Sequence, residues 1–189
     1  DRRFTSYETM IETLHLDAVQ VNTPDRLHRA PSIYAMEHGL DVLIPKPLAE
    51  SIEDAHEMVN CARQYERLIT VDFHKRDDPR IREVCSRYHS GAYGQFQSAV
   101  WYMLDKLSVA DPNREPRFFA TPDFASRNTP ISFLTVHMVD ALLQIIREKP
   151  TAVRATAFSQ KLPSLEPIPV DGYDLCDTEV VFDSGGIAY

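Results

Sequence analysis

Between Thr5 and Phe73, stretches with helical periodicity alternate with short apolar runs, and few architectures accept such a chain. From Thr5 to Leu16, Tyr7, Met10, Ile11 and Leu14 recur at helical spacing, and Asp17 to Thr23 (DAVQVNT) follows as a β-branched run. Leu27 to His38 is again helical and stops at Gly39, ahead of the run Asp41 to Ile44 (DVLI). Ser51 and Asp54 have the spacing of a capping box. Behind them Ile52, Ala55, Met58, Val59 and Ala62 form an apolar stripe that leads to another run, Leu68 to Phe73. Strands joined by helical crossovers of this length pair in parallel through right-handed connections. The predicted architecture here is α/β, a doubly wound parallel sheet with helices on both faces.

A helix from Pro79 to His89 ends at Gly91, and the rhythm then changes to a longer aromatic strand, Gln95 to Leu104. The chain accordingly divides into residues 1–76 and residues 77–189. Asp105 to Pro130 is rich in Pro, Asp, Asn and Arg and lacks a period, so it reads as a long loop of the functional or mobile kind. A helix follows over Ser132 to Arg147, then strands over Thr151 to Gln160 and Thr178 to Phe182. The last strand enters a turn at Ser184-Gly185-Gly186 that leads to a return strand. This part predicts an α+β domain with a mostly antiparallel sheet.

Composition narrows the partners. A net charge of -8 and a pI near 5.3 repel phosphate backbones and anionic lipid, which argues against nucleic acid and membranes and for a small soluble ligand. Cys61, Cys85 and Cys176 show no CxxC spacing, as expected of reduced thiols in a cytoplasmic protein. No apolar run approaches the roughly 20 residues that span a bilayer, and Asp1-Arg2-Arg3-Phe4 carries no apolar signal core. An opening at Asp1 without Met and a stop at Tyr189 inside a hairpin both read as cut ends.

Ligands of open parallel sheets bind beyond the carboxyl ends of the strands. Those ends carry Asn22-Thr23-Pro24-Asp25 with His28, then Pro45-Lys46-Pro47, then His74-Lys75-Arg76. The same residues also serve as ordinary loop punctuation in many proteins. Lys46, its backbone restrained by flanking prolines, is either an ammonium that stabilises alkoxide character on a substrate oxygen or a surface lysine. His137 shares a helix face with Asp140, so it is either a proton carrier supported by a carboxylate or a core histidine bonded to backbone. His15, His38, His56 and His89 read as surface residues. Metal-ligand spacing and a GxSxG elbow are both absent, so no metal is expected.

The ordered run LDAVQVNTPDRLHRAPSIYAMEHGLDVLIPKPLAESIEDAHEMV resembles the signature of the Gfo/Idh/MocA oxidoreductases: strand, Thr-Pro, His, an Ala-containing helix, Gly, and a strand ending in Lys-Pro. The similarity continues through FHKRDDPRIREV, SGAYGQF, FLTVHMVDALLQ and PTAVRATAF. This resemblance implies the C-terminal half of a Rossmann-type parallel sheet followed by an incomplete α+β domain. It implies NAD or NADP as cofactor, a small sugar, polyol or related hydroxyl or carbonyl substrate, and homo-oligomers of the full-length protein. By position, Asn22, Thr23, Pro24, His28, Lys46 and Pro47 would line the cofactor, and Lys46 and His137 would be catalytic. Arg76 and Asp140 would support the substrate.

Three features depart from the family pattern. None of the six glycines forms GxGxxG, so the resemblance places the phosphate loop upstream of Asp1 and makes this chain an inactive fragment. The Glu usual before Lys-Pro is Pro45, and the Asp usual four residues before the His is Phe133, with Thr135 where the nearest branch has Gly. These departures keep an alternative open, a non-catalytic sugar- or nucleotide-binding regulator of the same fold.

Overall fold

Local signals in the sequence set most element ends. Ser6 accepts the N–H of Thr9 at 3.2 Å to start α1 (Tyr7–Thr13), and Ser51 accepts that of Asp54 at 3.1 Å to start α3 (Ile52–Gln64). The stop of α2 (Arg29–Glu37) is a Schellman turn: Gly39, at φ 83°, donates to the Met36 carbonyl, and Leu40 donates to that of Ala35. The computed structural model describes residues 2–117, 122–127 and 130–189, and it separates after Phe73 into two compact units.

In the first unit, β1 (Ala18–Gln20), β2 (Asp41–Pro45) and β3 (Ile69–Asp72) form a parallel sheet in the order β1-β2-β3. The central strand alternates sharply. Val42 and Ile44 are 2% and 0% exposed, in one cluster with Ala35, Met36, Met58, Cys61 and Ala62, whereas Leu43 is 37% exposed. Full burial of a side chain such as Ile44 or Met58 stabilises by about 1.5–3 kcal/mol. The expectation of helices on both faces is therefore not met among the described residues of this unit. The reason is topological: two crossovers that advance the same way across a sheet lie on one face.

The second unit begins at His74 and contains α4 (Pro79–His89), β4 (Ser98–Ala99), α5 (Pro122–Arg127), α6 (Val136–Ile146), β5 (Pro150–Phe158), β6 (Leu175–Phe182) and β7 (Ile187–Ala188). Its sheet runs β4-β7-β6-β5, antiparallel except where β4 lies parallel to β7. The long strand expected over Gln95 to Leu104 shortens to β4, because its hydrogen bonds to Ile187 and Tyr189 run only from Gln97 to Trp101. The helix expected from Ser132 opens with a π-helical turn, Ile131–Thr135, and becomes α-helical at Val136. Helices α4 and α6 pack around Cys85, Leu142, Ile145 and Ile146, joined by Phe182 and Ala188 of the sheet. His89, expected at the surface without a partner, bonds through Nε2 to the Ile145 carbonyl at 2.9 Å and so ties α4 to α6.

Of the loop expected over Asp105 to Pro130, residues 118–121 and 128–129 lie outside the described residues. The portion before them is anchored. The Asn113 amide accepts the N–H of Ile168 at 2.9 Å and donates to its carbonyl at 3.0 Å, as a neighbouring strand would. Val109 and Ala110 pack against Ala125, Leu162 and Val170. Nearby, the Asp174 carboxylate accepts the N–H groups of Gln160, Lys161 and Leu162. Burial alone would raise its pKa, but the backbone donors prevail and hold it below the usual carboxylate range.

A folded-state pKa below the unfolded value contributes stability that is present above about pH 4 and is lost as pH falls through the lowered value. Asp174→Ala should accordingly cost about 1 kcal/mol at neutral pH, after allowance for solvent screening, and the difference from the parent should vanish at low pH. Urea unfolding at several pH values checks this; an equal loss at neutral and low pH would refute it. Among the described residues no helix is long and apolar enough to cross a membrane.

Candidate functional site

The residues predicted to carry chemistry fall into two groups, one in each unit. In the first unit they follow β1 and β2 at the carboxyl edge of the sheet. Asn22, Thr23 and Pro24 are exposed, with the Asn22 side-chain oxygen accepting from Gln20 at 3.2 Å. His28 is 0% exposed, and its two ring nitrogens face three carbonyls: Nε2 lies 2.9 Å from Thr23 O, and Nδ1 lies 3.1 and 3.2 Å from Pro47 O and Leu48 O. An imidazole so enclosed has no free edge for a ligand. Its effect is to lock the loop after β1 to the loop after β2, which places Thr23 and Pro47 together.

Lys46 ends β2's run and is half-buried with Pro47. Burial pulls the pKa of its ammonium below the ordinary lysine value, and the Asp25 carboxylate opposes this. Burial likewise pushes Asp25 up, against the pull of His28 and Lys46. Both shifts have one physical origin, a pair of charges partly withdrawn from water whose mutual attraction does not fully compensate.

In the second unit, the turn His74–Asp77 lies along one stripe of α6. The His74 ring meets the His137 ring edge-on, with centroids 4.9 Å apart and planes at 63°. Arg76 grips Asp140 with Nε 2.9 Å from Oδ2 and Nη2 2.5 Å from Oδ1. Gln144 donates to the Arg76 carbonyl at 3.4 Å. His137 is 5% exposed. Asp140, which the sequence pairs with His137, thus spends its carboxylate on Arg76, and these two predicted substrate residues hold each other. His74 and Asp25, which the sequence places in the polar clusters after β3 and β1 without a role of their own, acquire specific partners here. The signal for His74 was its position after β3, two residues before an arginine.

A cavity of about 610 Å³ also lies in the second unit, lined by Trp101, Tyr102, Phe133, Thr135, Met138 and Thr178 among others. His137, Arg76 and Asp140 do not line it. Its lining is mostly apolar and comes largely from the sheet and α6. Among the described residues no cluster of His, Cys, Asp and Glu is gathered in a way that could hold a metal ion.

Known proteins resemble this chain in sequence and in fold. Residues 2–73 match a family described as the oxidoreductase family, NAD-binding Rossmann fold, Gfo/Idh/MocA. A 1,5-anhydro-D-fructose reductase of Ensifer adhaerens is 29% identical over 155 residues, which cover 82% of this chain and 45% of the relative. A D-glucoside 3-dehydrogenase of Escherichia coli is 24% identical over 139 residues, 74% of this chain and 38% of the relative. The crystal structure of a myo-inositol 2-dehydrogenase from Lactobacillus plantarum superposes with a TM-score of 0.82 at 20% identity, covering 98% of this chain and 53% of that one. The chain therefore spans about half the length of the relatives it matches.

Proposed function

From the match of residues 2–73 to the Gfo/Idh/MocA oxidoreductase family, we propose that the full-length protein moves a hydride between a nicotinamide cofactor and a hydroxyl or carbonyl carbon of a sugar or polyol. The observation that carries this reading is the half-buried Lys46 ammonium at the carboxyl end of β2. The residues beside it suit the nicotinamide end of such a cofactor: a short exposed polar run, Asn22 and Thr23, and two prolines, Pro24 and Pro47, held together by a buried histidine. None of the six glycines stands in a phosphate-binding motif, so these residues account for the nicotinamide end alone.

When bound, a nicotinamide supplies the hydride acceptor or donor. Lys46 donates a charged hydrogen bond to the substrate oxygen and stabilises negative charge there. His137 takes up or returns the hydroxyl proton. Asn22 and Thr23 orient the cofactor through polar contacts, and Pro47 offers it an apolar surface. Arg76 neutralises Asp140, which leaves the carboxylate with a structural task on α6.

The test is turnover of the full-length protein with NAD and NADP against sugars and polyols. His137→Gln should lower kcat by about 10²–10⁴ while cofactor binding stays within about twofold. Full activity in that variant would remove His137 from the mechanism. A second reading, a binding regulator without turnover, is favoured by the engagement of Asp140 with Arg76. It predicts that a sugar or nicotinamide raises the melting temperature while no substrate changes the nicotinamide absorbance.

A further inference from the structure

We propose that His74 is a positioning residue that fixes the orientation of the His137 imidazole; the proposal rests on reading His137 as the proton carrier. His137, Asp140 and Gln144 stand at helical spacings of three and four on α6, so they form one stripe. The turn His74–Asp77 engages every member of that stripe. The His74 ring packs on His137, the Arg76 guanidinium clasps Asp140, and the Arg76 carbonyl accepts from Gln144. The Gln144 contact anchors the backbone of the turn and the Asp140 contact anchors its Arg76 side chain, and the His74 ring is thereby delivered to His137.

An imidazole on a helix turns about its last side-chain torsion, which is broad, and a half-turn puts a ring carbon where each nitrogen stood. A ring packed edge-on at 4.9 Å and 63° removes that freedom. Proton transfer needs one nitrogen on the line to the reacting oxygen, and small displacements there are expensive in rate. His74 is itself exposed while His137 is buried, so the outer ring acts as a wall over the inner one. The covering contact is made by ring edge and face, and it requires an aromatic ring at this position rather than an ionisable one.

Three variants of the full-length protein test this. His74→Ala should lower kcat by about 10–100-fold with the KM for the nicotinamide unchanged, and His74→Phe should recover kcat to within about threefold of the parent. His137→Gln run in parallel shows whether the proton-carrier reading itself holds. A second readout does not depend on turnover. In protein labelled at histidine, His74→Ala should shift and broaden the His137 ring resonances, and His74→Phe should keep them sharp. Unchanged His137 resonances in His74→Ala, or a Phe variant as impaired as the Ala variant, would overturn the proposal.

Discussion

Replacing His28 with alanine is expected to destabilise the first unit by about 3–5 kcal/mol, a large share of the roughly 5–15 kcal/mol that holds a typical domain folded. Two effects add. Removing a side chain that is 0% exposed leaves a cavity in the centre of the unit. It also removes the ring N–H that, according to the tautomer, bonds the Thr23 carbonyl or those of Pro47 and Leu48, part-buried groups that are costly to leave unsatisfied. The loops after β1 and β2 would then separate. Hydrogen exchange at Val21, whose N–H bonds to the Leu43 carbonyl at 2.9 Å, should accelerate along with the fall in urea midpoint. A loss below about 1 kcal/mol would show that the latch is dispensable.

Lys46→Ala is expected to lower kcat of the full-length protein by about 10²–10³, the usual effect of removing one donor from a developing oxyanion. The pH profile adds a sharper test. Burial depresses the pKa of Lys46, so its ammonium is lost at a lower pH than that of an ordinary lysine, near 10.4. Activity that needs the cation should therefore decline on the alkaline side before an ordinary lysine would titrate. The Asp25 carboxylate supports the charged form, so Asp25→Asn should move that decline to still lower pH. An unchanged alkaline limb in Asp25→Asn would detach Asp25 from Lys46. Undiminished turnover in Lys46→Ala would remove the lysine from the reaction.

Much of the first unit was legible in the sequence because its signals are local. Gly39 ends α2 by donating to a carbonyl three residues back, and Ser51 caps α3 across the same span. The clustering of polar residues at the ends of β1, β2 and β3 follows from strand order and period alone. What stayed hidden depends on partners far along the chain. The short pairing of β4 is set by its contact with Ile187 and Tyr189. His28 reads as a ligand contact until the carbonyls of Pro47 and Leu48 come into range of its ring. The meeting of His74 with His137, and of Arg76 with Asp140, joins segments some sixty residues apart, beyond the reach of periodicity or propensity. The resemblance between these segments and known oxidoreductases marked the residues but not the contacts they make.

The central claim is hydride transfer, and the most direct measurement of it follows a label. The full-length protein would be given reduced nicotinamide carrying deuterium at the transferred position, in the NADH and NADPH forms, with a panel of keto-sugars and related carbonyl compounds. The account predicts one deuterium on the reduced carbon of a sugar or polyol product, placed stereospecifically, and almost none from Lys46→Ala. Saturable binding of the nicotinamide with no deuterium in any product would contradict it and favour a protein that binds its ligands without reacting them.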